Sequence, residues 1–302
     1  MAETYCGYVA LIGEPNAGKS TLLNKMVGAK VSIVTHKVQT TRARIRGITI
    51  EGNTQIVFVD TPGLFRPRRN LDRAMVTAAW TGAADADMVV LLIEAHRGVT
   101  EGVKAILDAL SERVHDRPII LAINKIDRVK SNRLLALSTE LNELFNFTAT
   151  FMISAEKGHG TDDLKKWLAG ELPKGPWLYP EDQIADLPLR LLASEITREK
   201  LTLRLHQELP YQLTVETEKW TDRKDGSVRI DQLIYVIRDG HKGILLGPKG
   251  ETIKSVSMAA RQELKEFLGR EVHLFLQVKV RPKWLNDPDR YTEMGLNFKD
   301  SK

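Results

Sequence analysis

The 302-residue chain has a single cysteine, Cys6, which excludes an internal disulfide and any cysteine-built metal cluster. One free thiol suits a reducing compartment. The seven histidines nowhere form His-Glu-x-x-His or a Cys/His ligand spacing, so a metal site built wholly from protein ligands is not expected. Long apolar runs are also missing. The longest strongly apolar stretch is residues 88–93, far short of the ~20 residues that cross a bilayer. No basic segment followed by an apolar run opens the chain, so no signal peptide is expected and the cytoplasm is the expected compartment.

Charge of one sign is scarce as well. Net charge is +5; residues 1–182 hold 23 Lys and Arg against 21 Asp and Glu, and residues 183–302 hold 21 against 18. The excess is local: residues 238–283 carry ten basic side chains and five acidic ones, a concentration that attracts phosphate backbones. Hydrophobic content of 42% and charged content of 27% describe a globular chain, and the length accommodates two domains.

Short β-branched runs at 8–12, 55–59, 88–93, 119–123 and 150–153 read as buried strands. Amphipathic stretches at 20–27, 71–82, 99–114, 132–145 and 161–168 read as helices between them. This alternation predicts an α/β fold with a mostly parallel sheet, and residues 45–50 and 55–59 read as an antiparallel hairpin at its edge. Three prolines and a glycine in residues 173–180 break the pattern. The expected division is therefore a first domain over 1–172, a linker over 173–182 and a second domain over 183–302. The second domain reads α-β-β-α-α-β, with helices at 187–206, 242–246 and 251–268 and strands at 211–220, 228–238 and 272–280.

Gly13-Glu14-Pro15-Asn16-Ala17-Gly18-Lys19-Ser20 fits G-x-x-x-x-G-K-[ST] between a strand and a helix. Such a loop points successive amides at phosphates from a helix N-terminus. Gly13, Asn16, Ala17, Gly18, Lys19, Ser20 and Thr21 are the expected phosphate-binding set, with Lys19 reaching the β and γ phosphates and Ser20 ligating Mg²⁺. Asp60-Thr61-Pro62-Gly63 follows the next core strand; Asp60 is expected to hold Mg²⁺ through a water and the Gly63 N–H to sense the γ phosphate. Asn124-Lys125-Ile126-Asp127 and Ser154-Ala155-Glu156 end two further strands. A buried Asp127 carboxylate would accept from guanine N1–H and the 2-amino group, which adenine cannot satisfy. Asn124 would bridge base and phosphate loop, Lys125 would pack along the ring, and the Ala155 N–H would meet guanine O6. GTP and GDP with Mg²⁺ are the expected ligands.

These motifs over residues 5–170 resemble the translation-factor-like small GTPases. That resemblance implies a first-switch threonine on Mg²⁺ within Gln39-Thr40-Thr41-Arg42, Thr41 in preference to Thr40, and makes Lys19, Thr41, Asp60 and Gly63 the expected catalytic set. Leu64 stands where many switch GTPases carry the glutamine that orients the attacking water, so slow, partner-stimulated hydrolysis is expected.

Gly247-Pro248-Lys249-Gly250 between the last two helices resembles the turn of a type II KH domain, which clamps single-stranded RNA. The resemblance implies RNA contacts by Lys242, Ile244, Gly247, Pro248, Lys249, Gly250 and Lys254, in a groove lined by Ile244, Leu245, Leu246 and Ile253. Pro248 departs from a fully amide-bearing turn, and Glu156 departs from the lysine or leucine common after Ser-Ala. Together with residues 189–200 and 278–284, the combination resembles the Era family over almost the full length. This implies binding near the 3′ end of small-subunit ribosomal RNA by a monomer acting in small ribosomal subunit assembly. The rival reading is a nucleotide-dependent protein-interaction regulator or one peripheral at the inner membrane.

Overall fold

Residues 3–37, 40–42, 44–114 and 116–301 are described by the computed structural model, the Glu293 side chain excepted. Gln39 of the expected switch motif and Lys302 lie outside the described residues.

Strand β1 (Tyr5–Gly13) carries apolar residues on both faces: Val9, Ala10, Leu11 and Ile12 are fully buried. A strand sealed on both sides belongs inside a sheet covered by helices. Around it lie β2 (Ile45–Glu51), β3 (Thr54–Asp60), β4 (Met88–Glu94), β5 (Ile119–Asn124) and β6 (Ala149–Ile153), in the order β6-β5-β4-β1-β3-β2. All neighbours pair in parallel except the β2–β3 hairpin. The helices are α1 (Lys19–Val27), α2 (Asn70–Asp85), α3 (Glu101–Arg113), α4 (Ser131–Leu144) and α5 (Thr161–Glu171). Ala10 and Ile12 join one core with Ala79, Leu110 and Leu141 from α2, α3 and α4, while alternate residues Val9 and Leu11 point to the other face. Parallel pairing brings the carboxyl ends of β1, β3, β4 and β5 to one edge, where open α/β sheets bind ligands.

The expected linker is not a free connector. Gln55 is fully buried on β3: its Oε1 accepts from the Leu178 and Tyr179 amides at 2.9 and 3.1 Å, and its Nε2 donates to the Tyr179 carbonyl at 2.8 Å. The Cys6 N–H donates to the Pro173 carbonyl at 3.1 Å, and Trp177 and Tyr179 pack beside Val57. A two-residue strand β7 (Ala185–Asp186) then pairs antiparallel with β2 and closes the sheet edge. One compact unit accordingly comprises residues 1–186 and 291–302, and the second comprises 187–290. Tyr291, Met294, Leu296 and Ser301 are buried in the first unit, where the Arg73 Nε–H of α2 donates to the Ser301 carbonyl at 3.1 Å.

The second unit holds α6 (Leu189–Arg204), β8 (Leu213–Asp222), β9 (Val228–Val236), α7 (Asp239–Leu246), α8 (Glu251–Leu268) and β10 (Val272–Val280), and its boundary with the first, after Arg290, falls within α9 (Pro288–Glu293). Its sheet runs β10-β9-β8, with β9 parallel to β10 and antiparallel to β8. Val256, Ala260 and Leu264 of α8 meet Val272, Leu274 and Val278 of β10, whose alternation puts them on one face. Helix α7 begins three residues before its expected start, because Gly240 and Gly243 mask its periodicity.

Candidate nucleotide site and RNA-facing turn

A cavity of about 650 Å³ opens at the carboxyl edge of the first sheet, lined among others by Asn16, Gly18, Lys19, Ser20, Thr21, Thr41, Gly63 and Lys125. Thus segments far apart in sequence share one wall. The loop that cradles it is held from behind. Asn124 Nδ2 donates to the Ala17 carbonyl at 2.8 Å, while its Oδ1 accepts from the Lys125 and Ala155 amides at 2.8 and 3.0 Å. Gly18, at φ 102°, is required here: a Cβ would lie 2.2 Å from Asn124 Nδ2. Asn124 is therefore a strut joining the phosphate loop to both base-recognition segments. The Ala155 amide, expected to meet guanine O6, is engaged by Asn124 in this structure.

Lys19 is 6% exposed and donates to the Gly13 and Glu14 carbonyls at 3.2 and 3.1 Å. Burial pushes its ammonium down to about 8, while the nearby Asp60 and Glu14 carboxylates pull the other way. Asp60 is fully buried at the end of β3. Its Oδ2 accepts from the hydroxyls of Ser20 at 2.6 Å, Ser32 at 2.9 Å and Thr41 at 3.4 Å, and Ser20 Oγ lies 2.8 Å from Thr41 Oγ1. Burial raises the Asp60 carboxyl above the ordinary range, against these hydrogen bonds and the Lys19 charge. Asp60 Oδ1 is buried and has no hydrogen-bond partner. Hydroxyl oxygens converging on an unsatisfied carboxylate are the donor set of a hard divalent cation, so Ser20, Thr41 and Asp60 fit Mg²⁺. Among the described residues no cluster of His, Cys, Asp and Glu could hold a metal without such help.

Asp127 differs from expectation. Its side chain is 22% exposed, on a 3₁₀ turn (Ile126–Arg128) after β5, and is not buried. The Ser154 hydroxyl donates to its Oδ1 at 2.6 Å and, as the main cause, holds the carboxyl below its ordinary value. Ser154 thus orients the carboxylate that the sequence marks for guanine. Leu64 is 4% exposed, packs into the core and donates its N–H to the Gly13 carbonyl at 2.9 Å. It has no means of positioning a water.

Three side chains escaped the sequence reading. Ser32 reaches Asp60, as above. Glu94 ends β4 with Lys125 Nζ at 3.0 Å and His96 Nε2 at 2.7 Å, holding the lysine stem over the cavity. Glu14 accepts from the Thr100 hydroxyl at 2.9 Å, tying the phosphate loop to the cap of α3.

In the second unit, Gly247 (φ 72°, ψ 176°) is in a conformation open to glycine alone, and a Cβ would lie 2.1 Å from Thr252 Oγ1. Lys249 adopts φ 50° and is exposed, with Pro248 beside it. The Gly247 and Gly250 amides donate to the Gly243 and Gly247 carbonyls, so with Pro248 lacking an N–H the turn offers few amides to a phosphate. Ile244 is 61% exposed, and Lys242 and Lys254 also reach the surface. Leu245, expected in the groove, is fully buried in the core; Leu246 and Ile253 pack partly against it.

Comparison with known proteins adds the family. Residues 8–125 match the 50S ribosome-binding GTPase family and residues 208–285 match the KH domain. The chain is 74% identical to GTPase Era of Dinoroseobacter shibae over 300 residues, covering 99% of this chain and 97% of that one. It is 61% identical to GTPase Era of Brucella suis over 296 residues, covering 98% and 94%. A solved Era of Aquifex aeolicus, bound to GDP and AlF4⁻, superposes with a TM-score of 0.91 at 38% identity, covering 97% and 99%. An Era in complex with MgGDPNP and nucleotides 1506–1542 of 16S ribosomal RNA gives the same values. Two domains in the expected order, a complete guanine-nucleotide motif set and near-full-length identity agree: this chain belongs to the Era family of GTPases.

Proposed function

We propose that this GTPase is a switch that binds the 3′ end of small-subunit ribosomal RNA and acts in small ribosomal subunit assembly. The observation that carries the reading is the gathering of Lys19, Ser20, Thr41 and Gly63 on one cavity wall, backed by Asp60 and the Asn124 strut. In this reading the amides from Asn16 to Ser20, in the loop that Gly13 opens, and the Lys19 ammonium hold the β and γ phosphates, and Thr21 extends that wall. Asp127, oriented by Ser154, accepts from guanine, with Lys125 along the ring and Ala155 beside it. Ser20 and Thr41 ligate Mg²⁺ directly and Asp60 does so through water; bound there, the cation neutralises phosphate charge. The Gly63 amide reads the γ phosphate. With Leu64 in the core, isolated turnover is slow and rises when RNA or the small subunit binds.

The RNA-binding domain is the second unit, residues 187–290 of the expected 183–302, with Lys242, Ile244, Gly247, Pro248, Lys249, Gly250 and Lys254 forming its contact surface. Relatives of this family have been crystallised with a GTP analogue and 16S ribosomal RNA nucleotides, which supports the same pairing here. The protein acts as a monomer in the cytoplasm, with peripheral contact at the inner membrane as a subsidiary expectation. No helix among the described residues is long and apolar enough to cross a membrane.

Titration of labelled small-subunit 3′-end RNA, with GTP analogue or GDP and across salt, tests the reading. It expects preference for that sequence, tighter binding with the GTP analogue and a negative salt slope. Equal, weak binding of every RNA in both nucleotide states, with anionic vesicles bound instead, would overturn it in favour of a membrane-peripheral regulator.

A further inference from the structure

A second cavity, of about 490 Å³, lies wholly inside the second unit, at the corner where the end of α6 meets the starts of α7 and α8. Arg204, His206, Arg238 and His241 contribute to its walls, with Glu208 and Thr252. Two guanidinium groups against one carboxylate leave the cavity net positive with both imidazoles neutral. Both arginines are exposed. The Arg204 guanidinium also donates to Ser255 Oγ, which leaves further N–H groups on its five-donor fork.

His241 sets the chemistry of the inner wall. It is 4% exposed, and the Arg238 Nε–H donates to its Nε2 at 2.7 Å. The ring proton therefore sits on Nδ1, a buried donor with no partner among the described residues. Gln207 on the rim has φ 55°, a left-handed conformation in the loop that frames the opening. Cationic forks, an unsatisfied donor and a fixed loop suit a small anion with several acceptor oxygens.

Position identifies the class of anion. Thr252 is common to both features: it lines the cavity and its Oγ1 packs on Gly247 of the RNA-facing turn. Ile244, exposed on α7, also borders both. We propose that this cavity is a phosphate subsite that seats a backbone phosphodiester of the RNA strand as it leaves the Gly247–Gly250 turn. The subsite rests on the RNA-binding reading above. It also accounts for how a turn with few available amides holds its ligand: part of the phosphate recognition lies behind the turn, in arginine forks.

The test compares full-length wild type with Arg204→Gln/Arg238→Gln, both saturated with Mg²⁺ and a GTP analogue. Two RNAs are titrated between about 0.1 and 0.3 M salt: one of about five nucleotides that fills the turn and groove, and one of about twelve that continues past it. The double variant should bind the longer RNA at least about tenfold more weakly, with a salt slope shallower by about one, and bind the shorter RNA as wild type does. Unchanged affinity and slope on the longer RNA overturn the subsite while leaving RNA binding intact; wild type that binds neither RNA overturns both. Loss of phosphatidylglycerol-vesicle binding with RNA binding unchanged would assign the cavity to a lipid headgroup and also overturn it. A measurement on wild type guards against a misfolded variant: the His241 ring resonances should shift saturably on titration with inorganic phosphate at constant ionic strength. No shift there refutes the proposal.

Discussion

At the scale of single residues, Asp127 tests the base specificity. Two charge-assisted hydrogen bonds to guanine contribute about 1.5–3 kcal/mol each, so Asp127→Asn should weaken GTP roughly 10²–10⁴-fold. The asparagine amide can donate to a 2-oxo group, so xanthosine triphosphate should gain affinity in the same variant. Competition binding of the two nucleotides checks this; a variant that loses GTP and gains nothing with the xanthine nucleotide would show that Asp127 acts only through the fold. His241 gives a pH signature. Burial, and then the Arg238 charge, hold its imidazole below the ordinary value near 6.5; Arg204, His206 and Glu208 also face the cavity. As pH falls through that value the unfolded chain takes up a proton that the folded chain refuses, so stability is lost on acidification. Urea midpoints at about pH 7.5 and 5.5 should therefore fall further in wild type than in His241→Gln; equal falls would contradict it.

The residues legible in the sequence share one property. Phosphate, cation and guanine impose fixed local spacings on Gly13 to Ser20, Asp60 to Gly63 and Asn124 to Asp127, and those spacings survive in one dimension. Ser32, Glu94 and Glu14 carry no such mark, because each acts on a partner brought near only by the sheet: Asp60, Lys125 and Thr100 lie 28, 31 and 86 positions away. Asp127 was expected in a buried setting that the surface 3₁₀ turn Ile126–Arg128 does not supply. Ala155 was expected to offer an amide that Asn124 already engages.

At the scale of elements, the strands of the first sheet were legible because burial on both faces demands unbroken apolar runs. The docked segment 173–180 was not, since it is held by hydrogen bonds from one buried glutamine and has no period. Gln55→Leu would leave the Leu178 and Tyr179 amides and the Tyr179 carbonyl without their partner. At about 1 kcal/mol for each lost bond, the first unit should lose roughly 2–4 kcal/mol, much of it through local release of the segment. Limited proteolysis should then cut within 174–183 much faster than in wild type, with GTP affinity nearly unchanged. Unaltered cleavage would mean that the Cys6–Pro173 bond and the Trp177 and Tyr179 packing suffice.

At the scale of the whole molecule, two cores are each built from residues of one unit: Ala10, Leu91 and Leu141 belong to the first, Leu201, Ile234 and Val256 to the second. The described residues that line the nucleotide cavity belong to the first. Ligand that binds one folded core stabilises that core by mass action, about 2.7 kcal/mol at a hundredfold excess over Kd. For a unit of this size that is a rise of roughly 5–11 °C in its melting midpoint. Mg²⁺-GDP should therefore slow amide exchange in β1, α1 and β5 and leave the slowest amides of β9 and α8 nearly unchanged. The C-terminal segment sharpens the expectation, because residues 291–301 pack with α2 although the chain reaches them from the second unit. Their amides should gain protection with the nucleotide, in step with α2 and apart from α8. Exchange mass spectrometry with and without the nucleotide decides the matter: equal protection across both units would show that the two cores unfold as one, and that the tail reports on neither in particular.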